Sequence, residues 1–312
     1  MPEYGATTTT DEVLEGLDLT GRRVLVTGAS SGLGEEATRA LASAGATVTM
    51  LARDPAKLDA AASRVREQVP DADLKTGLVD LADLSSIRSF ASGYLEGGEV
   101  IDVLINNAGV MASPETKTAD GLELQFGTNH IGHFLLTNLL MPAILAGEDP
   151  RIVNLSSAGH ALSDVDLDDP NFERTTYDPW VSYGRSKTAN ILFTRELAGR
   201  LNGEVLVFAV HPGVIVTELI RHLPEEVLEQ SADQFRDRMK TVEAGAATEV
   251  WAATAPELAD HSGSYLADCQ LGVMGGETEK TGFLEYAYDQ DNARGLWTLS
   301  EELVGEEFDP PR

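Results

Sequence analysis

The segment from Arg23 to Glu36 constrains this chain more than any other. Val24, Leu25 and Val26 read as a short strand, Gly28, Gly32 and Gly34 follow as a turn, and a helix starts behind them. Gly28 lets the chain leave the strand abruptly, because glycine tolerates φ > 0. Gly32 lets a diphosphate approach the backbone, and Gly34 lets the helix pack close to the strand. The helix end then offers free N–H groups and partial positive charge to an anion, with Ser30, Ser31 and Leu33 in the same turn. The spacing is Gly-x-x-x-Gly-x-Gly rather than Gly-x-Gly-x-x-Gly, so taken alone it also fits an ordinary strand–turn–helix unit.

The rest of the chain repeats that unit. Glu35 to Gly45 reads as an amphipathic helix with Ala37, Ala40, Leu41 and Ala44 inward. Further strands are expected at Val48–Leu51, Leu74–Val79, Val103–Ile105, Ile152–Leu155, Val205–Val210 and Ser264–Leu266, with helical patterns between them. Strand alternating with helix specifies a doubly wound, mostly parallel α/β sheet, here of seven strands, with helices on both faces. The 312 residues suit one such domain over residues 21–312, behind a polar leader at 1–20 that is loose or docks late. Two stretches, 159–181 and 214–240, interrupt the rhythm after strand ends, where ligands of open sheets bind; a helix and tail fill 283–312.

Composition excludes several classes. There are 51 acidic and 23 basic residues, a formal charge of −28, which makes nucleic acid and anionic membrane poor partners. No apolar run is long enough to span a bilayer, and the polar N-terminus does not read as a signal peptide. Cys269 is the only cysteine, so no intrachain disulfide forms and a reducing, cytoplasmic setting is expected. Heavy carboxylate with only six lysines is one way to stay hydrated in concentrated salt, a halophilic reading.

A dinucleotide is selected just past the second strand. A carboxylate there pairs with a ribose 2′-hydroxyl and favours NAD; an arginine pairs with a 2′-phosphate and favours NADP. The sequence is Arg53-Asp54-Pro55. Asp54 before Pro55 is the N-cap of the next helix, which leaves Arg53 to offer its guanidinium to phosphate, with Ser30 or Ser31 adding a hydroxyl. NADP(H) is therefore preferred and NAD(H) possible. Asp80 and Leu81 end the third strand, where they meet the adenine or cap a helix. Asn107, Ala108 and Gly109 end the fourth, where small residues leave room for a flat ligand.

Tyr183 and Lys187 are four residues apart on a helical pattern and share a face. A free phenol has a pKa of about 10; a nearby ammonium lowers it and makes the phenol a workable proton donor to a carbonyl. Such a pair alone is common. Ser157, at the end of the fifth strand, adds a hydroxyl. Asn129 lies inside a helical pattern, where an amide competes with the backbone, and makes sense if it holds a water or a backbone group near the lysine. His130 and His133 beside it read as packing or surface residues. His211-Pro212-Gly213 forms a rigid turn after the sixth strand, followed by Val216 at the cofactor and by Thr217, expected to reach a carboxamide or phosphate.

Together these pieces resemble the short-chain dehydrogenase/reductase family over nearly the whole chain, from Asp18 to Ala267. The retinol-dehydrogenase-like and WW-domain-oxidoreductase-like branch is nearest, on the phrases Asn129-His130-Ile131-Gly132-His133-Phe134, Ser186-Lys187-Thr188-Ala189-Asn190 and Ser264-Tyr265-Leu266-Ala267. Membrane anchors of some animal relatives have no counterpart. The resemblance implies that Tyr183 is the general acid/base, Lys187 lowers its pKa and holds the nicotinamide ribose, Ser157 orients the substrate carbonyl, and Asn129 supports a proton-relay water. It places Asn107 to Gly109 against the cofactor and Thr217 at the nicotinamide end. It also implies a homodimer or homotetramer built on the helices around Asn129 and Tyr183.

Ser157 and Tyr183 are 26 positions apart, farther than in compact members, and the extra segment carries Phe172, Tyr177 and Trp180, expected to cover the substrate pocket. In 214–240, Leu219, Ile220, Leu223, Val227, Leu228, Phe235 and Met239 recur at helical spacing, as a lid or as ordinary packing. An apolar wall suits a hydrophobic alcohol, aldehyde or ketone. Two other readings remain: reduction of a carbon–carbon double bond, as in protochlorophyllide-reductase-like relatives, and an NADP(H)-sensing binding protein without turnover.

Overall fold

A computed structural model describes residues 4–215, 238–278 and 280–309. One sheet holds β1 Arg23–Thr27, β2 Thr47–Ala52, β3 Leu74–Leu78, β4 Val103–Asn106, β5 Arg151–Leu155, β6 Leu206–His211, β7 Tyr265–Ala267 and β8 Gln270–Leu271. Their order is β3-β2-β1-β4-β5-β6-β7-β8. The seven expected strands all pair in parallel. The eighth is an addition: an antiparallel edge of two residues that returns on β7 through Asp268 and Cys269, both at positive φ. Two residues are too few to show an alternating pattern.

Side chains alternate across a strand, so β1 sends Val24 and Val26 to one face and Leu25 to the other. Each face has its own core. Val24 and Val26 pack with helices Gly32–Ser43, Pro55–Gln68 and Val242–Thr254. Leu25 packs with helices Leu84–Glu96, Gly132–Leu139, Pro179–Leu201 and Gln290–Val304. Among the described residues, no helix is long and apolar enough to cross a membrane.

The N-terminal segment is docked. A short helix, Thr10–Val13, is closed by a capping box between Thr9 and Glu12, Val13 and Leu14 enter the core, and Thr10 donates to Glu36. Helix Gln290–Val304 packs on the helices around Asn129 and Tyr183. Trp297 is buried edge-on against Phe134 at 5.0 Å between centroids, with the Arg200 guanidinium 4.0 Å over its ring. Phe134 is fully buried within the single chain.

Most of 214–240 lies outside the described residues, including Val216, Thr217 and the apolar series from Leu219 to Phe235. The two ends are described: Val214 bridges Met239 in parallel, and Lys240 pairs with Asp268.

Candidate active site

With β1 flanked by β2 on one side and β4 on the other, connections diverge at the carboxyl ends of β1 and β4 and open a crevice. A cleft of about 630 Å³ runs there. The glycine turn forms one wall. Gly28 has φ 68°, and a β-carbon on it would stand 2.8 Å from Ala108 Cα. Gly34 is just as tight, since its β-carbon would meet Asn107 Nδ2 at 2.4 Å. Asn107 uses that amide to donate to the Thr27 carbonyl at 2.7 Å, tying the ends of β4 and β1 together. Gly32, at φ 58°, starts helix Gly32–Ser43, and the Ser31 side chain makes no capping bond to it. The first N–H groups of that helix are thus not occupied by a capping side chain, which fits the diphosphate of a dinucleotide.

Most of the expected cofactor residues meet in this cleft: Gly28, Ser30, Ser31, Gly32, Leu33, Arg53, Asp80, Leu81, Asn107, Ala108, Gly109, Pro212 and Gly213, with Ser157, Tyr183 and Lys187. Gly34 stands behind the wall, doing its work by close packing. Asp54 accepts from the Ala56 and Lys57 amides at 3.0 and 3.1 Å and so caps its helix as expected. Arg53, which is exposed, and Asp54 both line the cleft, and the cap engages one oxygen of the Asp54 carboxylate. Lys57 lines the same end and was not anticipated; its signal is the four-residue spacing from Arg53. The capping alternative for Asp80 is corrected, because Asp83 caps helix Leu84–Glu96 while Asp80 accepts from Ala82 N–H.

At the other end, helix Pro179–Leu201 is capped by Asp178 and carries Tyr183 and Lys187 one turn apart on the inward face. Lys187 Nζ lies 5.6 Å from the Tyr183 ring centroid and donates to the Leu155 carbonyl at 3.0 Å. Burial dominates both groups. It pushes the phenol up to about 12, only partly offset by a hydrogen bond with Ser157, and brings the ammonium down to about 8. Burial, opposed by the Ser157 hydrogen bond, sets the direction: this phenol holds its proton through the neutral range. Ser157 Oγ accepts from Gly159 N–H at 3.0 Å, which leaves its own hydrogen for the phenol or a ligand.

Asn129 sits in a π-helical turn, Gly127–Ile131, a geometry that recurs at functional sites. Its side chain accepts from Val110 N–H at 2.8 Å and donates to Val110 C=O and Ser186 Oγ, both at 2.9 Å. It is not part of the cleft wall; it holds the chain just past Gly109, beside Lys187. His130 and His133 are packing residues as read, but buried ones. His130 meets Ser300, and His133 bridges the Asn129 carbonyl to Thr27.

The inserted aromatics are corrected. Phe172 lies under the Arg185 guanidinium at 4.1 Å and edge-on to Tyr177, whose hydroxyl donates to the Ser113 carbonyl. They anchor the insertion instead of covering the cleft. Trp180 does line it, with Leu162, and both are exposed at its mouth. Sequence reasoning also missed Met111, Thr128 and Thr278 on the wall.

A family of short chain dehydrogenases matches residues 22–228 of the chain. Human retinol dehydrogenase 12 is 41% identical over 290 residues, covering 93% of this chain and 88% of that protein. Among solved structures, an uncharacterized protein from Mycobacterium paratuberculosis aligns with a TM-score of 0.74 at 37% identity, over 95% of this chain and 98% of its own. The Pseudomonas aeruginosa RhlG/NADP active-site complex aligns with a TM-score of 0.64 at 26% identity, over 80% of this chain and 95% of its own.

Proposed function

The chain belongs to the short-chain dehydrogenase/reductase family, in its retinol-dehydrogenase-like branch, and on that premise we propose an NADP(H)-dependent oxidoreductase acting between a hydrophobic alcohol and its aldehyde or ketone. The observation that supports this reading is the meeting of Ser157, Tyr183 and Lys187 in the cleft that Gly28, Gly32 and Arg53 also line.

The cofactor, when bound, supplies or takes the hydride. The chain does the rest. Tyr183 carries the proton for the carbonyl oxygen, Ser157 orients that oxygen with its free hydroxyl hydrogen, and Lys187 places a positive charge one helical turn away. Asn129 supports the proton relay by fixing the strand end beside the lysine. Arg53 and Lys57 hold the 2′-phosphate that distinguishes NADP from NAD, and the helix behind Ser31 holds the diphosphate. Val216 and Thr217 belong to the nicotinamide end by resemblance.

Leu162, Trp180 and Met111 make the substrate end apolar, which favours long hydrophobic alcohols and aldehydes, retinoids among them. The buried, unpaired Cys269 suits a reducing cytoplasm. A homodimer or homotetramer built on the helices around Asn129 and Tyr183 is the assembly that the resemblance supports. A carbonyl and alcohol panel with NADPH and NADH tests the reading. Alcohol formed from aldehyde with NADPH supports it. A saturated ketone with its carbonyl intact supports double-bond reduction instead, and tight NADPH binding without consumption supports the sensing protein.

A further inference from the structure

One peptide plane in the site is gripped at both polar ends. Its oxygen is the Ser157 carbonyl and its N–H belongs to Ala158. His160 Nδ1 lies 2.7 Å from the Ser157 oxygen. On the other side, the Ala158 N–H donates to His211 Nδ1 at 3.2 Å. The two rings come from unrelated parts of the chain: His160 from the turn after β5, His211 from the end of β6 beside Pro212 and Gly213. Both are buried, at 0% and 2% exposure.

Partner chemistry fixes where each ring carries its hydrogen. A carbonyl oxygen only accepts, so His160 bears hydrogen on Nδ1. Its Nε2 then accepts from Leu284 N–H at 3.2 Å. His211 Nδ1 accepts from Ala158 N–H and, at 3.4 Å, from Gly213 N–H, so its hydrogen is on Nε2. Burial disfavours the charged form of both rings, and holds His211 down to about 3. Two neutral histidines in opposite tautomers thus act as donor and acceptor on one amide. The His160 carbonyl is itself anchored by Tyr286 Oη at 2.6 Å and Thr188 Oγ1 at 3.1 Å.

We propose that His160 and His211 are positioning residues for Ser157, setting the plane from which its hydroxyl reaches Tyr183 and coupling that plane to the Pro212–Gly213 turn and the Leu284 segment. The inference rests on Ser157 being the residue that orients the substrate oxygen. His160 stands outside the residues that line the cleft; His211 lines it beside Pro212 and Gly213, and its hold on the Ala158 N–H is the part of its role that acts through the serine. Without the two rings, the Ser157 carbonyl keeps only the His160 backbone N–H at 3.0 Å and the hydroxyl is aimed less firmly; a displacement on the order of 1 Å in such a group can cost about 100-fold in rate.

Two measurements test this. In the wild-type protein, long-range proton–nitrogen correlation spectra at neutral pH should show His160 as the Nδ1–H tautomer and His211 as the Nε2–H tautomer. Matching tautomers, or either ring charged, would overturn the arrangement whether or not the protein turns over any substrate. In kinetics, His160→Phe and His211→Leu should lower kcat about 10- to 100-fold while the NADPH dissociation constant moves by less than about 3-fold. His160→Asn and His211→Asn, which keep a donor and an acceptor near the Nδ1 positions, should restore most of the rate. Leu284→Pro removes the N–H that bonds His160 Nε2, along with the leucine side chain, at a backbone φ of −88° near proline's own, and should show the same split in milder form if the ring variants fail to fold. Folded variants with unchanged kcat, or losses that Asn does not restore, would reduce both rings to packing. A wild type that binds NADPH and transfers no hydride across the panel would sink the enzyme reading separately, leaving the tautomer result to judge the grip.

Discussion

Gly159 lies against the ring of Tyr183. A β-carbon at 159 would stand 2.6 Å from Tyr183 Cε1 and 3.3 Å from Ser157 Oγ. The absence of a side chain there lets the serine turn close onto the phenol. Gly159→Ala should push the ring aside and lower kcat by roughly 10- to 100-fold, with NADPH affinity nearly unchanged. Steady-state rates with a cofactor-binding titration check it; a fully active alanine variant would mean the ring has room to yield.

Tyr183→Phe removes the proton donor and keeps the buried ring. Turnover should fall by a factor on the order of 10²–10⁴, while NADPH binding survives. Retained kcat would unseat Tyr183 from its role.

The features read correctly from sequence are local ones. The glycine turn, the Asp54 cap before Pro55 and the Tyr183–Lys187 pair each declare themselves within a few residues. What escaped depends on distant partners. Phe172 and Tyr177 looked like cover for the cleft, but Phe172 adopts φ 56° and slides under Arg185, which no periodicity announces. The spacing reveals the lysine beside Tyr183; only packing reveals that the phenol is fully enclosed, and that burial raises its pKa.

Arg53→Ala should raise the KM for NADPH by about 10- to 100-fold, as loss of a charge-assisted bond to phosphate does, and leave that for NADH within about 3-fold. Arg53→Ala with Lys57→Ala should widen the gap. Equal losses with both cofactors would show that neither side chain reads the 2′-phosphate.

Glu249 is buried in helix Val242–Thr254 with neither carboxylate oxygen hydrogen-bonded among the described residues. Burial, helped by nearby Glu36, pushes its pKa from 4.5 up to about 8. The folded state therefore holds the proton more tightly than the unfolded chain does. Stability from this group is full below pH 4.5, falls as pH rises toward about 8 and is then constant. Glu249→Gln should gain little at pH 5 and raise Tm at pH 8 by roughly 5 °C or more. A gain independent of pH would point to packing rather than ionisation.

The formal charge of −28 predicts a protein that salt stabilises by screening its self-repulsion. Thermal unfolding should shift upward by several degrees between about 0.05 and 2 M KCl, with activity rising in parallel. Full stability and activity near zero salt would remove the halophilic reading.

Helix Gln290–Val304 shields the aromatic side of the helix that carries Tyr183, yet a ribosome makes it long after that helix has emerged. Until translation reaches it, Phe134 and Phe193 have no cover, and the nascent chain carries a sticky surface beside its own reaction centre. A stop codon before Gln290 would fix the polypeptide in that state, so a shortened product should collect in the insoluble fraction even though every residue of the cleft had been synthesised.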